Sequence, residues 1–350
     1  VSMVCFVVGF AGTGVSIALG FLPGVFICYG AIMGIGLGVG YLTPVKNLML
    51  WFSDNKGLAT GIAVAGFGLA KAIASPLMEY LIGTVGLVNM FFILAVIYAV
   101  MMFFGFLLIK RPADWVYDPV TSHVSRAEIL RKPVFWGIWI AFYINITCGL
   151  ALISQEKDIL HDVLKAFPQY AGLSPAKFAA AIAGIIGLVL AVDSVFNTAG
   201  RVGFSTLSDH LKRRETVYQV IFIMSIAVCL LQIFTNSINN ALLWAVLAML
   251  FLINAGYGGG FSTLPVLLDQ HFGTKTVSTT HGLALSAWAF AGLSGNQLAS
   301  FVVTHTPDQA HRYAALIPVL TGLFALALIS ISLVKYLGGR NGEGKRSIGA

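Results

Sequence analysis

Asp193-Ser194-Val195-Phe196-Asn197-Thr198-Ala199-Gly200-Arg201 sets a carboxylate, an amide and a guanidinium inside an otherwise apolar stretch. Helical periodicity places positions 193, 197 and 201 at i, i+4 and i+8, on one face. An ionisable group at membrane depth is costly and normally faces a bundle interior or a wet cavity. The stripe therefore predicts a substrate or ion path through a helical membrane protein. Charge returns in Ser208-Asp209-His210-Leu211-Lys212-Arg213-Arg214, where the span must end.

The composition agrees. Of 350 residues, 58% are hydrophobic and 10% charged, with a mean hydropathy of +0.87. Soluble chains carry roughly a quarter charged residues. Apolar runs of ~20 residues favour helices over the alternating strands of a barrel. Ten such runs fall at about 1–20, 23–50, 58–82, 88–109, 133–155, 177–206, 216–235, 240–267, 278–303 and 313–336. The expected fold is all-α and polytopic: an N-terminal bundle of four helices in 1–109, a proline-bearing linker at 110–132, a six-helix bundle in 133–336 and a tail at 337–350. A polar loop is expected from Glu156 to Pro175.

Three cations, Lys46, Lys71 and Arg201, lie within spans, and four, Lys157, Lys165, Lys177 and Arg312, fall on one side of the membrane. The other fourteen of the 21 share the opposite side, which places the linker and C-terminus in the cytoplasm of a bacterial-type plasma membrane. The same distribution assigns the net charge of +7 to orientation, not to nucleic acid. Cys5, Cys28, Cys148 and Cys229 lie in spans without CxxC spacing and read as reduced packing residues. The glycines from Gly30 to Gly40 read as helix-packing positions. A serine protease pair of Ser262 and His281 lacks a nucleophile-elbow pattern, and no HExxH motif or metal-ligand cluster occurs, so no enzyme, cofactor or metal is expected.

The chain also repeats. Gly57-Leu58-Ala59-Thr60-Gly61 and onward to Ser75 aligns with Gly282-Leu283-Ala284-Leu285-Ser286 and onward to Ser300, and Gly40-Tyr41-Leu42-Thr43-Pro44 resembles Gly260-Phe261-Ser262-Thr263-Leu264-Pro265. Matching the second and third spans to the eighth and ninth implies that two helices, roughly 70–90 residues, precede Val1, completing a six-plus-six two-bundle transporter.

Taken with Trp51-Phe52-Ser53-Asp54-Asn55-Lys56-Gly57 and Ala65-Gly66-Phe67-Gly68, the run Gly36-Leu37-Gly38-Val39-Gly40-Tyr41-Leu42-Thr43-Pro44 resembles the oxalate/formate antiporter family of the major facilitator superfamily. The resemblance covers essentially the whole chain, starting at the family's third helix. Gly200-Arg201 to Ser208-Asp209 is similar to the superfamily's loop motif between its eighth and ninth helices. The resemblance implies a carboxylate transporter of the major facilitator fold, with the eighth-helix arginine, here Arg201, gripping the substrate. Family members that carry oxalate have a lysine in the eleventh helix; this chain has Trp288 there. One fixed cation suits one carboxylate.

The expected substrate site comprises Arg201, Asn197, Lys71, Tyr41, Tyr257, Phe261 and Trp288. Arg201 offers a planar fork for a carboxylate, and the alternative is a structural pairing with Asp193. The aromatics wall in a small anion or else pack helices. Lys71 is a second cation or a partner of Asp193 or Glu79. Asp193 is the candidate proton carrier or a permanent counter-ion. Tyr143, Asn145, Asn254, His281 and Asn296 are further polar candidates, with interhelical hydrogen bonding as the alternative. Asp209, Arg213 and Arg214 read as a gate at helix ends. The expected activity is alternating-access transport of a monocarboxylate (formate, pyruvate or lactate type) by a monomer in the bilayer, with protons as candidate coupling ions. Alternatives are a dicarboxylate exchanger using Lys71, and a non-transporting relative.

Overall fold

A computed structural model describes residues 1–113, 125–235, 240–307 and 313–346, apart from the side chains of 71, 72, 240 and 339–346. Among the described residues there is no strand. The helices are α1 Ser2–Ala18, α2 Leu22–Val25, α3 Gly34–Trp51, α4 Lys56–Leu108, α5 Arg126–Leu130, α6 Pro133–Lys165, α7 Pro175–His210, α8 Glu215–Phe234, α9 Asn240–Phe272, α10 Val277–Ala284, α11 Ser286–His305 and α12 Leu316–Arg346.

All ten apolar runs lie on these helices. Among the described residues, seven helices are long and apolar enough to cross a membrane. One of them joins α2 to α3 through a wider π-helical stretch, Phe26–Met33, into Leu22–Trp51. Another, α4, is 53 residues long and turns at Gly86, where φ is 81° and ψ is 164°. A side chain rarely tolerates that backbone, so a glycine supplies the corner. The third and fourth apolar runs are the two arms of α4.

Two expectations are corrected. The polar stretch after Glu156 is not a loop, because α6 continues to Lys165. Its buried residues Ile159, Leu160 and Leu164 keep a helical period and bury one face after mean hydropathy has dropped. The ninth run is not one helix but α10 and α11, separated at Leu285.

The large core lies among α6 to α12, around Phe135, Phe142, Tyr218, Phe222 and Phe324. Tyr41, Val45 and Met49 of α3 and Val64 of α4 belong to the same core. A smaller core, Phe10, Leu81, Met90 and Leu94, joins α1 to α4.

Helices approach closely in a membrane where small residues let backbones meet. A Cβ at Gly200 of α7 would collide with the Ala255 backbone of α9, and one at Gly258 with the Asn197 backbone. The first arm of α4 uses Gly57, Gly61 and Gly68 in the same way against Ser205, Arg201 and Thr198 of α7. Gly200→Val is expected to cost about 1–3 kcal/mol by overpacking, read as a lower apparent unfolding temperature in detergent. An unchanged temperature would show that α7 and α9 do not meet there.

Candidate functional site

Close packing of α7 against α9 brings the polar stripe onto a second helix. Asp193, Asn197 and Arg201 are 1%, 7% and 5% exposed, all on the inner face. The Arg201 Nε donates to Asn197 Oδ1 at 2.8 Å, and Asn197 Nδ2 donates to Asn254 Oδ1 at 2.7 Å. Asn254 Nδ2 in turn donates to the Asp193 carboxylate. Asp193 thus reaches Arg201 through two amides, each using both its donor and its acceptor in this relay.

The relay consumes only the Nε of the guanidinium. Among the described residues no acceptor lies at the two terminal amino groups of Arg201. The cation sits over aromatic faces instead, with Cζ 5.4 Å from the Phe261 ring centroid and 6.0 Å from that of Phe67. Such contacts are favourable and leave the donors available. The backbone beneath is held separately, because the Arg201 carbonyl accepts from the hydroxyls of Ser262, at 2.7 Å, and Ser205.

Arg201 and Asn197 line a cavity of about 230 Å³. Tyr41, Tyr257, Phe261 and Trp288 line it too, with Phe67 and Asn254. Phe261 and Trp288 meet edge to face, with centroids 5.2 Å apart, and Tyr41 lies 6.5 Å from each. Drug-sized pockets run from about 300 Å³ upward, so this one suits a small solute. Apolar walls around a guanidinium with free donors can bind one carboxylate on a short aliphatic body.

Six of the seven expected substrate residues therefore share one cavity. Lys71 is the seventh; its side chain lies outside the described residues. Asp193 lines a smaller neighbouring space with Asn254 and the buried Glu156 of α6.

The other polar candidates part company. His281 packs on Tyr41 with centroids 5.6 Å apart. Tyr143 donates to the Ser294 hydroxyl at 2.9 Å and stacks on Trp139. Asn145 lies 3.4 Å from the Gly256 carbonyl, and Asn296 is exposed.

Asp209, at the end of α7, accepts from the backbone N–H groups of Gly57 and Leu58, both at 2.8 Å. These are the first turn of α4, where the helix dipole favours an anion. Arg214 approaches Asp209 and Asp269, at 3.8 Å each. Lys56 Nζ completes the junction with Asp269 at 2.9 Å and Thr274 at 2.9 Å. Arg213 belongs elsewhere, donating to Glu215 at 3.1 Å and to the Lys335 carbonyl. His271 and Gln270 meet the same glutamate at 3.0 and 2.9 Å.

Phe67, Lys56, Asp269, Glu215 and Glu156 escaped the sequence reading as functional positions. Phe67 had a signal in Gly66-Phe67-Gly68, and the acids had one in their rarity within long apolar helices.

The family model of the Major Facilitator Superfamily matches residues 2–296. The uncharacterized MFS-type transporter YhjX of Escherichia coli (strain K12) is 27% identical over 285 residues, 77% of this chain and 65% of that protein. The oxalate:formate antiporter of Oxalobacter formigenes is 24% identical over 311 residues, 88% of this chain and 69% of the antiporter. The chain thus spans about two thirds of the length of these curated relatives. Among solved structures, the transporter FucP in its outward conformation superposes with a TM-score of 0.61 at 17% identity, covering 95% of this chain and 81% of FucP. An outward-facing bacterial homologue of the iron transporter ferroportin gives 0.63 at 13% identity, covering 96% and 82%.

Proposed function

The chain belongs to the Major Facilitator Superfamily, and on that premise we propose that it carries a small monocarboxylate across a membrane by alternating access. One observation carries this reading. Arg201 is buried and oriented through its Nε, and among the described residues nothing claims its terminal donors, which lie in a small cavity with aromatic walls. The carboxylate would take the guanidinium fork and its short apolar body would lie against Phe261, Tyr41 and Trp288. Asp193 lies beyond Asn254 and would take up the coupling proton. The similarity to an oxalate:formate antiporter supports carboxylate as the substrate class. Trp288, where oxalate carriers of that family have a lysine, argues for one carboxyl group. Sides follow from the cation distribution: the end bearing Lys56 and Asp209 would face the cytoplasm of a bacterial-type plasma membrane, with the protein working as a monomer.

Counterflow in proteoliposomes with labelled formate, pyruvate and oxalate tests the substrate class. A monocarboxylate is expected to accumulate in counterflow, net uptake into empty vesicles is expected to acidify the lumen in step, and Asp193→Asn is expected to abolish the acidification while counterflow persists. Accumulation of oxalate alone would replace this reading with dicarboxylate exchange, and no counterflow by folded protein would remove carboxylates altogether.

A further inference from the structure

The relay between Asp193 and Arg201 has a direction, and its two ends set it. A guanidinium Nε–H only donates, and an ionised carboxylate only accepts. Between them Asn197 Oδ1 accepts from Arg201 at 2.8 Å, Asn197 Nδ2 donates to Asn254 Oδ1 at 2.7 Å, and Asn254 Nδ2 donates to Asp193. All four side chains are more than nine-tenths buried, so little water competes for these bonds. A side-chain amide carries its donor and its acceptor on opposite arms of one plane. Turning its terminal torsion by half a turn exchanges them at little cost, because that torsion is broad and roughly two-fold. Two amides in series therefore allow two directions, and the end groups choose between them.

Protonation changes one end. A protonated carboxyl has an O–H donor, so Asp193 can then donate to Asn254 Oδ1 and Asn254 to Asn197 Oδ1, which turns Asn197 Nδ2 toward Arg201. Two donors, Arg201 Nε–H and Asn197 Nδ2, then face each other until an anion accepts from both. Both residues line the central cavity, where a carboxylate meets that need. Without the proton, reversal would set Asn254 Oδ1 against an ionised Asp193, acceptor against acceptor. Proton or carboxylate alone thus leaves a buried polar group unpaired, which is costly. Only together do they complete the reversed chain. Reversal also gives up a longer bond from Asn197 Nδ2 to the Asn254 carbonyl at 3.3 Å, which favours the present direction in the empty, deprotonated protein.

Among the described residues, the polar and charged groups that bear on Asp193 come from three helices. Asn254 reaches it from α9, Glu156 of α6 walls the same small space, and Arg201 acts along α7 through the relay. On α4, the side chain of Lys71 lies outside the described residues. Two carboxylates beside one buried space repel when both are charged, and a proton taken from water by Asp193 removes that repulsion.

We infer that Asn197 and Asn254 are the coupling element of the carrier, a two-amide relay that reverses when Asp193 holds a proton and Arg201 holds a carboxylate. The inference rests on the carboxylate and proton readings of this site. By linkage, the proton raises the affinity for carboxylate, and the carboxylate raises the affinity for the proton by the same factor. Substrate therefore binds more tightly as pH falls through the titration of Asp193.

Pyruvate binding to the purified protein, with proton uptake followed by a pH indicator in weak buffer, tests this without transport. In the wild type, binding is expected to take up protons and to tighten about tenfold from mildly alkaline to mildly acidic pH, within the usual range of coupling between sites. Asp193→Asn offers Asn254 a permanent donor, so it should take up no proton and bind pyruvate at every pH as the wild type does in acid. Asn254→Leu breaks the relay and should abolish both the uptake and the pH dependence. The wild type alone gives a second measurement. The side-chain Nε–H resonance of Arg201, assigned by its loss in Arg201→Lys, should shift when pyruvate is added in acid and not with acid alone. An equal shift with acid alone would overturn joint reversal. Weaker binding of Asn254→Leu by one factor at every pH, with uptake retained, would overturn the relay and leave Asp193 as the proton carrier. Uptake that persists in Asp193→Asn would sink the proton reading and the relay with it. No pyruvate binding by folded protein would remove the carboxylate reading and this inference together.

Discussion

Arg201→Lys is expected to lower monocarboxylate counterflow about a hundredfold or more in a protein that still folds. The guanidinium does two jobs at once: Nε donates to Asn197 at 2.8 Å while the outer donors face the cavity from above the Phe261 ring. An ammonium is a single point charge and cannot hold the relay and present a planar fork together. Truncating one member of a buried, hydrogen-bonded charge pair costs about 2–5 kcal/mol, and 3 kcal/mol corresponds to roughly 150-fold. The backbone is anchored independently by Ser205 and Ser262, so monodispersity and the unfolding temperature should change little. Counterflow within a few-fold of wild type would remove Arg201 from the substrate site and leave it a structural residue.

Asp209→Asn is the second large effect, and it acts at a distance from the substrate. The Asp209 carboxylate gives one oxygen to Gly57 N–H and the other to Leu58 N–H. The α4 N-terminus has no side-chain cap of its own, so this anion from α7 satisfies it. A neutral amide keeps one acceptor, loses the other and abolishes the charge term. Hydrogen bonds to charged groups are worth about 1.5–3 kcal/mol each, and the dipole adds about 0.3–1 kcal/mol. A loss of about 3 kcal/mol shifts a two-state balance by roughly two orders of magnitude. The end bearing Lys56 and Asp209 should then open more often. In a protein whose four native cysteines are replaced by alanine, His281→Cys, buried against Tyr41, should react at least about tenfold faster with an impermeant maleimide added at that end. Lys56→Gln, which breaks the 2.9 Å bridge to Asp269, should act in the same direction and more weakly. Unchanged labelling in both would mean that these contacts do not hold the end shut.

Composition and a single helical period carried much of the fold and part of the site. The scarcity of charge and the ten apolar runs gave an all-α membrane protein. The spacing of Asp193, Asn197 and Arg201 put three costly groups on one face of one helix, and all three are buried. Periodicity acts within a helix, and that is its limit. It does not say how far one helix is rotated or shifted against another, which depends on where small residues let two backbones touch. The contact between Gly200 and Ala255 makes Asn254 the link between Asp193 and Asn197, a role that no spacing in the chain encodes. Other packing contacts separate Arg213 from Arg214, adjacent in sequence, onto different acids. They also set Phe67 over the arginine and His281 against Tyr41. The sequence by itself determined that the chain crosses a membrane as helices and which face of α7 carries the polar groups, because burial cost and helical geometry are local. Only the tertiary structure decided which side chains from other helices complete the cavity, because register between helices is set by packing across hundreds of residues.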